Sequence, residues 1–210
     1  PLQPVLQTVG YIGYDEEQMV DVHSRVQGWL EKLYLKTEGE AVEKGSLLYE
    51  IYSPELVNAQ EEYLAALQSG NHFLRNASLS KLNALGVTEA VLKQIAKTRK
   101  ALQLIPVYAS QSGVVTRLNV RQGMYIKPAT TVMSLASLDQ VWVTAELFEH
   151  QSGQVSVGDH ASMKLDYLPG RQWQGKVDYI YPSLNKKTRT AQIRLRFDNS
   201  DDALKPEMFA

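Results

Sequence analysis

Five methionines and four histidines are the side chains of this 210-residue chain best suited to hold a soft or borderline metal ion. Thioethers favour Cu(I) and Ag(I), and imidazoles favour Zn(II). Met19, Met124, Met133, Met163 and Met208 are scattered, with no Met-x-Met or Met-x-x-Met cluster. His23, His72, His150 and His160 form no His-Glu-x-x-His signature. Two pairs are close enough in sequence to be weighed as ligands, Met19 with His23 and Glu149 with His150. Both are expected to be ordinary surface or barrel residues, and Met133 and Met163 fall in strand patterns that mark core filler. There is no Gly-x-Ser-x-Gly elbow and no phosphate-cradling glycine loop. The acidic pairs Glu61-Glu62 and Asp201-Asp202 sit on a helix face and in a turn, where charge is normally solvated. The residues therefore predict no catalytic site, no bound cofactor and no enzyme.

Composition narrows the partners. The formal net charge is −1, and the chain has no cysteine. No global field draws it to nucleic acid, and disulfides and thiolate metal sites are excluded. The basic run Lys186-Lys187-Thr188-Arg189 reads as a solvated loop. Trp29, Trp142 and Trp173 lie in strand patterns without a basic face beside them, so they read as core or interface packing. No run of 18 apolar residues is present.

The elements that would position these residues are announced by an internal repeat. Val26-Gln-Gly28-Trp-Leu30-Glu-Lys-Leu33-Tyr-Leu35 matches Gln111-Ser-Gly113-Val-Val115-Thr-Arg-Leu118-Asn-Val120. With one residue dropped, Glu38-Gly39-Glu-Ala-Val42-Glu-Lys44-Gly45 runs against Gln122-Gly123-Met-Tyr-Ile126-Lys-Pro128-Ala129, and Leu48 and Ile51 fall on Val132 and Leu135. Apolar–polar alternation around glycines predicts short half-buried strands joined by tight turns. Neither copy could bury its apolar face alone, so the two are expected to pair as a two-part sandwich.

Between the copies the pattern turns helical. Ser53-Pro54-Glu55 predicts a helix start with serine as N-cap, and Ser69-Gly70-Asn71 closes that helix. A second helix over about 73–85, with Phe73, Leu74, Ala77, Leu82 and Leu85 on its apolar side, ends at Gly86. Thr88 caps a third, and the three are expected to pack as a compact bundle. Residues 5–14 and several strands after Asp139 suit a small β barrel. The predicted fold is mixed, mainly β with a helical insertion. It is an elongated set of nested modules: a barrel from 1–14 and 139–210, a lipoyl-like sandwich from 15–53 and 106–138, and a helical domain over 54–105.

In this order the segments resemble the periplasmic adaptor (membrane fusion) proteins of tripartite efflux pumps. The resemblance is carried by Gly28-Trp-Leu-Glu-Lys-Leu33, Gly39…Val42-Glu-Lys-Gly45, Ser112-Gly113-Val-Val115 and Gly123…Ile126. In the barrel it rests on Val141-Trp142-Val143, Val157-Gly158-Asp159, Gly175 to Pro182 and Leu204 to Phe209. Tyr52-Ser-Pro-Glu-Leu56 and Leu85-Gly86-Val-Thr-Glu-Ala90 are similar to the heavy-metal branch, whose copper/silver adaptors have a short helical domain.

The resemblance implies a periplasmic protein that bridges an inner-membrane resistance-nodulation-division transporter and an outer-membrane channel, associating as a hexamer. It also implies that transient Cu(I), Ag(I) or Zn(II) binding, if any, lies outside these 210 residues. The chain is expected to be a trimmed piece without the membrane-proximal domain, anchored through segments beyond it. The turn Ser69-Gly70-Asn71-His72 is the candidate tip contact with the channel.

Three departures bear on the resemblance. Many drug-efflux adaptors carry an Arg…Leu…Ser pattern at the tip. Here Arg75 and Leu79 are followed by Gly86 where the serine would fall. Position 207 is Glu where the family usually has Gly, and the membrane-proximal domain is expected to lie outside these 210 residues. Two other functions compete. A lipoyl or biotin carrier shares the sandwich but needs an exposed lysine hairpin between the copies, which the helical insertion replaces. A metal-delivery chaperone would pass ions to the transporter.

Overall fold

The computed structural model describes residues 5–185 and 188–210, so Lys186 and Lys187 of the basic run lie outside the described residues. In chain order the elements are β1 (Gly10–Tyr14), β2 (Met19–His23), β3 (Gly28–Leu33), β4 (Ala41–Val42), β5 (Leu47–Tyr52), α1 (Pro54–Ser69), α2 (His72–Ala84) and α3 (Glu89–Thr98). They continue with β6 (Leu104–Tyr108), β7 (Gly113–Leu118), β8 (Tyr125–Ile126), β9 (Thr131–Ala136), β10 (Gln140–Phe148), α4 (Glu149–Ser152), β11 (His160–Lys164), β12 (Gln172–Asn185) and β13 (Thr190–Asp198). The chain divides into two units, Val20–Leu135 and the two flanking segments that end at Met19 and begin at Ala136.

In the Val20–Leu135 unit the repeat copies exchange strands. The first strand of each copy pairs with the short strand of the other: Gly28 stands opposite Ile126, and Gly113 opposite Val42. Two four-stranded sheets result, ordered β6-β5-β3-β8 and β2-β9-β7-β4. Equivalent turns hold equivalent backbones. Gly39 and Gly123 both have φ 85, and Ala129 (φ 70) adopts the left-handed conformation of its counterpart Gly45 (φ 86). Gly28 is required for a different reason: a Cβ there would run into the carbonyl oxygen of Tyr52.

The helices are inserted between the copies, and their inner side belongs to the same core as the sandwich. Leu56, Ala59, Tyr63, Leu82, Val91 and Ile95 form one cluster with Leu30, Ile51, Ile105 and Ile126. Helix α1 starts at Pro54 as expected, and Ser53 holds the extended N-cap backbone, but its side chain makes no cap bond. Ser53 is fully buried with an unpaired hydroxyl. Thr88 likewise precedes α3 without a side-chain bond. The expected helix over 73–85 appears as α2, yet Phe73 (80 % exposed) and Leu74 (49 %) lie outside the core. The buried residues of α2 are Ser78 at its middle and Leu82 beyond it, so apolar spacing alone misplaces its first turn.

The other unit is a five-stranded antiparallel sheet ordered β1-β10-β13-β12-β11. The strand expected over 5–14 pairs only from Gly10, with Gly10 opposite Ala145 and Tyr14 opposite Val141. On its other edge β1 is joined by the C-terminal segment, where Gly10 N–H donates to the Ala210 carbonyl (2.8 Å) and Ile12 N–H to that of Met208 (2.9 Å). Ile12, Val141, Val143, Met163, Trp173, Phe197 and Leu204 fill its core.

Candidate functional site

The turn Ser69–His72 is ordered by its own side chains. Gly70 takes the left-handed C-cap conformation of α1 (φ 66). Ser69 Oγ donates to the Ala66 carbonyl (3.0 Å) and accepts the Asn71 N–H (3.3 Å). Asn71 then caps α2, its Oδ1 accepting from Phe73 N–H (3.0 Å) and Leu74 N–H (3.2 Å). His72 is the exposed first residue of α2.

Beside this turn, α1 and α2 leave a shallow groove floored by Ala65, Ala66, Ala77 and Ser78 and flanked by Leu74. Its far end is bordered by the exposed pair Lys81 Nζ–Glu62 Oε2 (2.8 Å). The groove holds no acid–base pair or activated nucleophile. Its small apolar floor, with the exposed Phe73 next in sequence to Leu74, suits contact with another polypeptide.

The metal-ligand candidates are not brought together. Met19 opens β2 and His23 closes it, and four residues of extended chain set their Cα atoms roughly 13 Å apart. His23 is exposed, with Nδ1 3.5 Å from Thr131 Oγ1. Asp21, between them, accepts a bond from Ser134 Oγ (2.5 Å). Glu149 and His150 are adjacent exposed residues of α4, and the His150 ring stacks on Phe148 (5.9 Å, 11°). Among the described residues no three His, Asp or Glu side chains converge on a point that could hold a metal. Met133 and Met163 are core residues as expected.

The sequence did not signal one further surface. Tyr125, Trp29 and Tyr52 form a row across β8, β3 and β5, with ring centroids 4.8 and 6.1 Å apart. Trp29 is exposed, whereas Trp142 and Trp173 are buried. Nearby, the Glu50 carboxylate on β5 pairs with Lys32 of β3 (3.0 Å) and accepts from Tyr34, the residue after β3 (3.0 Å). Those hydrogen bonds raise the proton affinity of both the lysine and the phenol. The Arg…Leu…Ser tip pattern is not completed either. Arg75 and Leu79 lie on α2, but Gly86 (φ 89) stands beyond its end against the Arg25 side chain.

Comparison with known proteins follows this architecture segment by segment. The family model of the CusB barrel-sandwich hybrid domain matches residues 19–136, and that of the CusB-like β-barrel domain matches residues 140–210. The chain belongs to the CusB-like family of membrane fusion proteins. It is 32% identical over 200 residues to the cation efflux system protein CusB of Escherichia coli (strain K12), a match that covers 95% of this chain and 49% of the relative. It is 31% identical over 200 residues to the putative membrane fusion protein SilB of Salmonella typhimurium, covering 95% and 46%. The chain thus spans about half the length of the curated CusB-like relatives it matches.

Among solved structures, ZneB from Cupriavidus metallidurans aligns with TM-score 0.62 at 25% identity, over 96% of this chain and 94% of that one. MacA from Actinobacillus actinomycetemcomitans shares the fold with TM-score 0.57 at 20% identity, over 96% and 75%. The CusB-like family has a non-enzymatic adaptor role. No helix among the described residues is long and apolar enough to cross a membrane.

Proposed function

We propose that this chain is the adaptor part of a tripartite heavy-metal efflux pump, with copper or silver as the exported cargo. It works in the periplasm and bridges an inner-membrane, proton-driven transporter of the resistance-nodulation-division type and an outer-membrane channel. Copies associate as a hexameric ring, and attachment to the inner membrane comes from chain beyond these residues. The role is structural, without catalysis and without a resident cofactor. The observation that carries this reading is the match of both family models in one chain, with a helical insertion where a carrier domain would display its lysine. The helical turn Ser69–His72, with the neighbouring groove, supplies the channel contact, because it is preordered and is followed by an exposed apolar side chain at Phe73.

The test is metal tolerance. Deleting the gene should lower the growth limit in silver and copper salts several-fold, and the full-length gene should restore it. A version with residues 54–105 replaced by a short linker should be exported but fail to restore. Unchanged tolerance to silver, copper and zinc on deletion would sink the proposal.

A further inference from the structure

Four charged side chains on one face of the β10–β13–β12 sheet form a closed network whose last member comes from outside the sheet. Arg194 and Arg196 stand two residues apart on β13, so their guanidinium groups project from the same face. Two like charges so placed need counter-charges between them. Asp178 provides the first. It is the extra residue of a β-bulge, where the register passes from Val177↔Leu195 to Tyr179↔Arg194, and a bulge re-aims its side chain. Asp178 reaches Arg194 Nη2 (2.5 Å) and Arg196 Nη2 (3.2 Å). The Arg194 guanidinium also lies over the Trp142 ring, 3.7 Å from its centroid.

Glu17 provides the second counter-charge. It sits on the 3-10 turn Glu16–Gln18, between β1 and β2, and reaches Arg194 Nη2 (3.3 Å) and Arg196 Nη2 (3.0 Å). The turn is internally ordered by Asp15, which is 1 % exposed: its carboxylate accepts Glu17 N–H (2.9 Å) and Gln18 Nε2 (3.0 Å). Gln18 Nε2 also lies 3.3 Å from Gln140 Oε1 at the start of β10. The Glu17 carboxylate therefore takes no part in the turn's own bonds and ties it to the sheet instead.

We propose that Glu17 is a clasp that fastens the strap Asp15–Met19 onto the barrel, so that opening it frees the segment through which the chain passes from β1 to β2. With Glu17 in place the two arginines are neutralised by two carboxylates. Without it one positive charge on the sheet stays uncompensated and the strap loses its attachment. The clasp is built from barrel residues alone, whichever partners the protein has.

Amide hydrogen exchange of the 210-residue chain tests it. Glu17, Gln18 and Met19 each donate a backbone N–H within the strap. In Glu17→Ala these three amides should exchange about three- to tenfold faster at low salt, while those of β10 and β13 keep their rates. In the unaltered chain, 1 M salt should speed the same three amides toward the variant's rates, because the screening length falls to about 3 Å. Glu16→Ala, one residue away on the same turn, should change nothing. Unaltered exchange in Glu17→Ala, an equal effect from Glu16→Ala, or loosening spread through β10 and β13 would each overturn the clasp.

Discussion

Glu207 and Tyr49 show how single side chains set stability here. Glu207 is exposed and holds a left-handed backbone (φ 70) while its N–H donates to the Ile12 carbonyl (2.8 Å). Such a backbone costs a non-glycine residue about 1–2 kcal/mol, and glycine offsets part of that gain through the entropy of the unfolded chain. Glu207→Gly should therefore stabilise the protein by about 0.5–1 kcal/mol, read as a higher urea midpoint at unchanged slope. Tyr49 is 1 % exposed inside the sandwich, and burial pushes its phenol up to about 12. Its unfolded counterpart titrates near 10. Between these values the unfolded chain releases a proton that the folded one keeps. The stabilisation from keeping Tyr49 neutral is complete below about pH 10 and is lost as pH rises toward 12, on the order of 2–3 kcal/mol in all. Urea melts at about pH 9, 10.5 and 12 should show this fall, and Tyr49→Phe should flatten it.

At the scale of elements, a buried amide joins a helix to the segment that leads from the helical insertion into β6. Gln60 on α1 is fully buried, and its Nε2 donates to the carbonyls of Leu56 (3.0 Å) and Leu102 (3.0 Å). Its Oε1 accepts the Leu102 N–H (2.8 Å), so one side chain ties the helix to the chain returning into β6. Gln60→Leu keeps the volume but leaves both backbone groups of Leu102 unpaired, which costs about 2–4 kcal/mol. Two residues along the same helix, Glu62→Gln removes only the exposed pair with Lys81 and should cost under about 1 kcal/mol. Chemical denaturation of both variants should separate them clearly. Equal effects would mean that α1 is not anchored through Gln60. Asn199 repeats the device in the barrel unit, donating to Leu138 and Leu204 (both 2.9 Å) and accepting from Leu204 (2.8 Å).

At the scale of the molecule, the Val20–Leu135 unit carries its own continuous core, and its two ends are the neighbouring strands β2 and β9. A chain of residues 19–136 should therefore fold alone, with a cooperative thermal transition and dispersed amide resonances. A collapsed, non-cooperative product would refute this. The pairing logic of that unit was already legible in the order of its residues. Glycines and alternating apolar residues recur at fixed spacing, and such local signals specify turns and strand faces wherever they occur. The helix starts and stops around Pro54, Gly70 and Gly86 could be read for the same reason. Other features emerged only from packing. Apolar spacing gave Phe73 and Leu74 no distinction from core residues, and only the arrangement of α1 and α2 left Phe73 uncovered. The pairing of Glu17 with arginines 177 and 179 positions away, and of Gln60 with Leu102, joins residues that no local pattern relates. Burial and long-range hydrogen bonding depend on which surfaces meet, and that is settled only when the strands and helices pack.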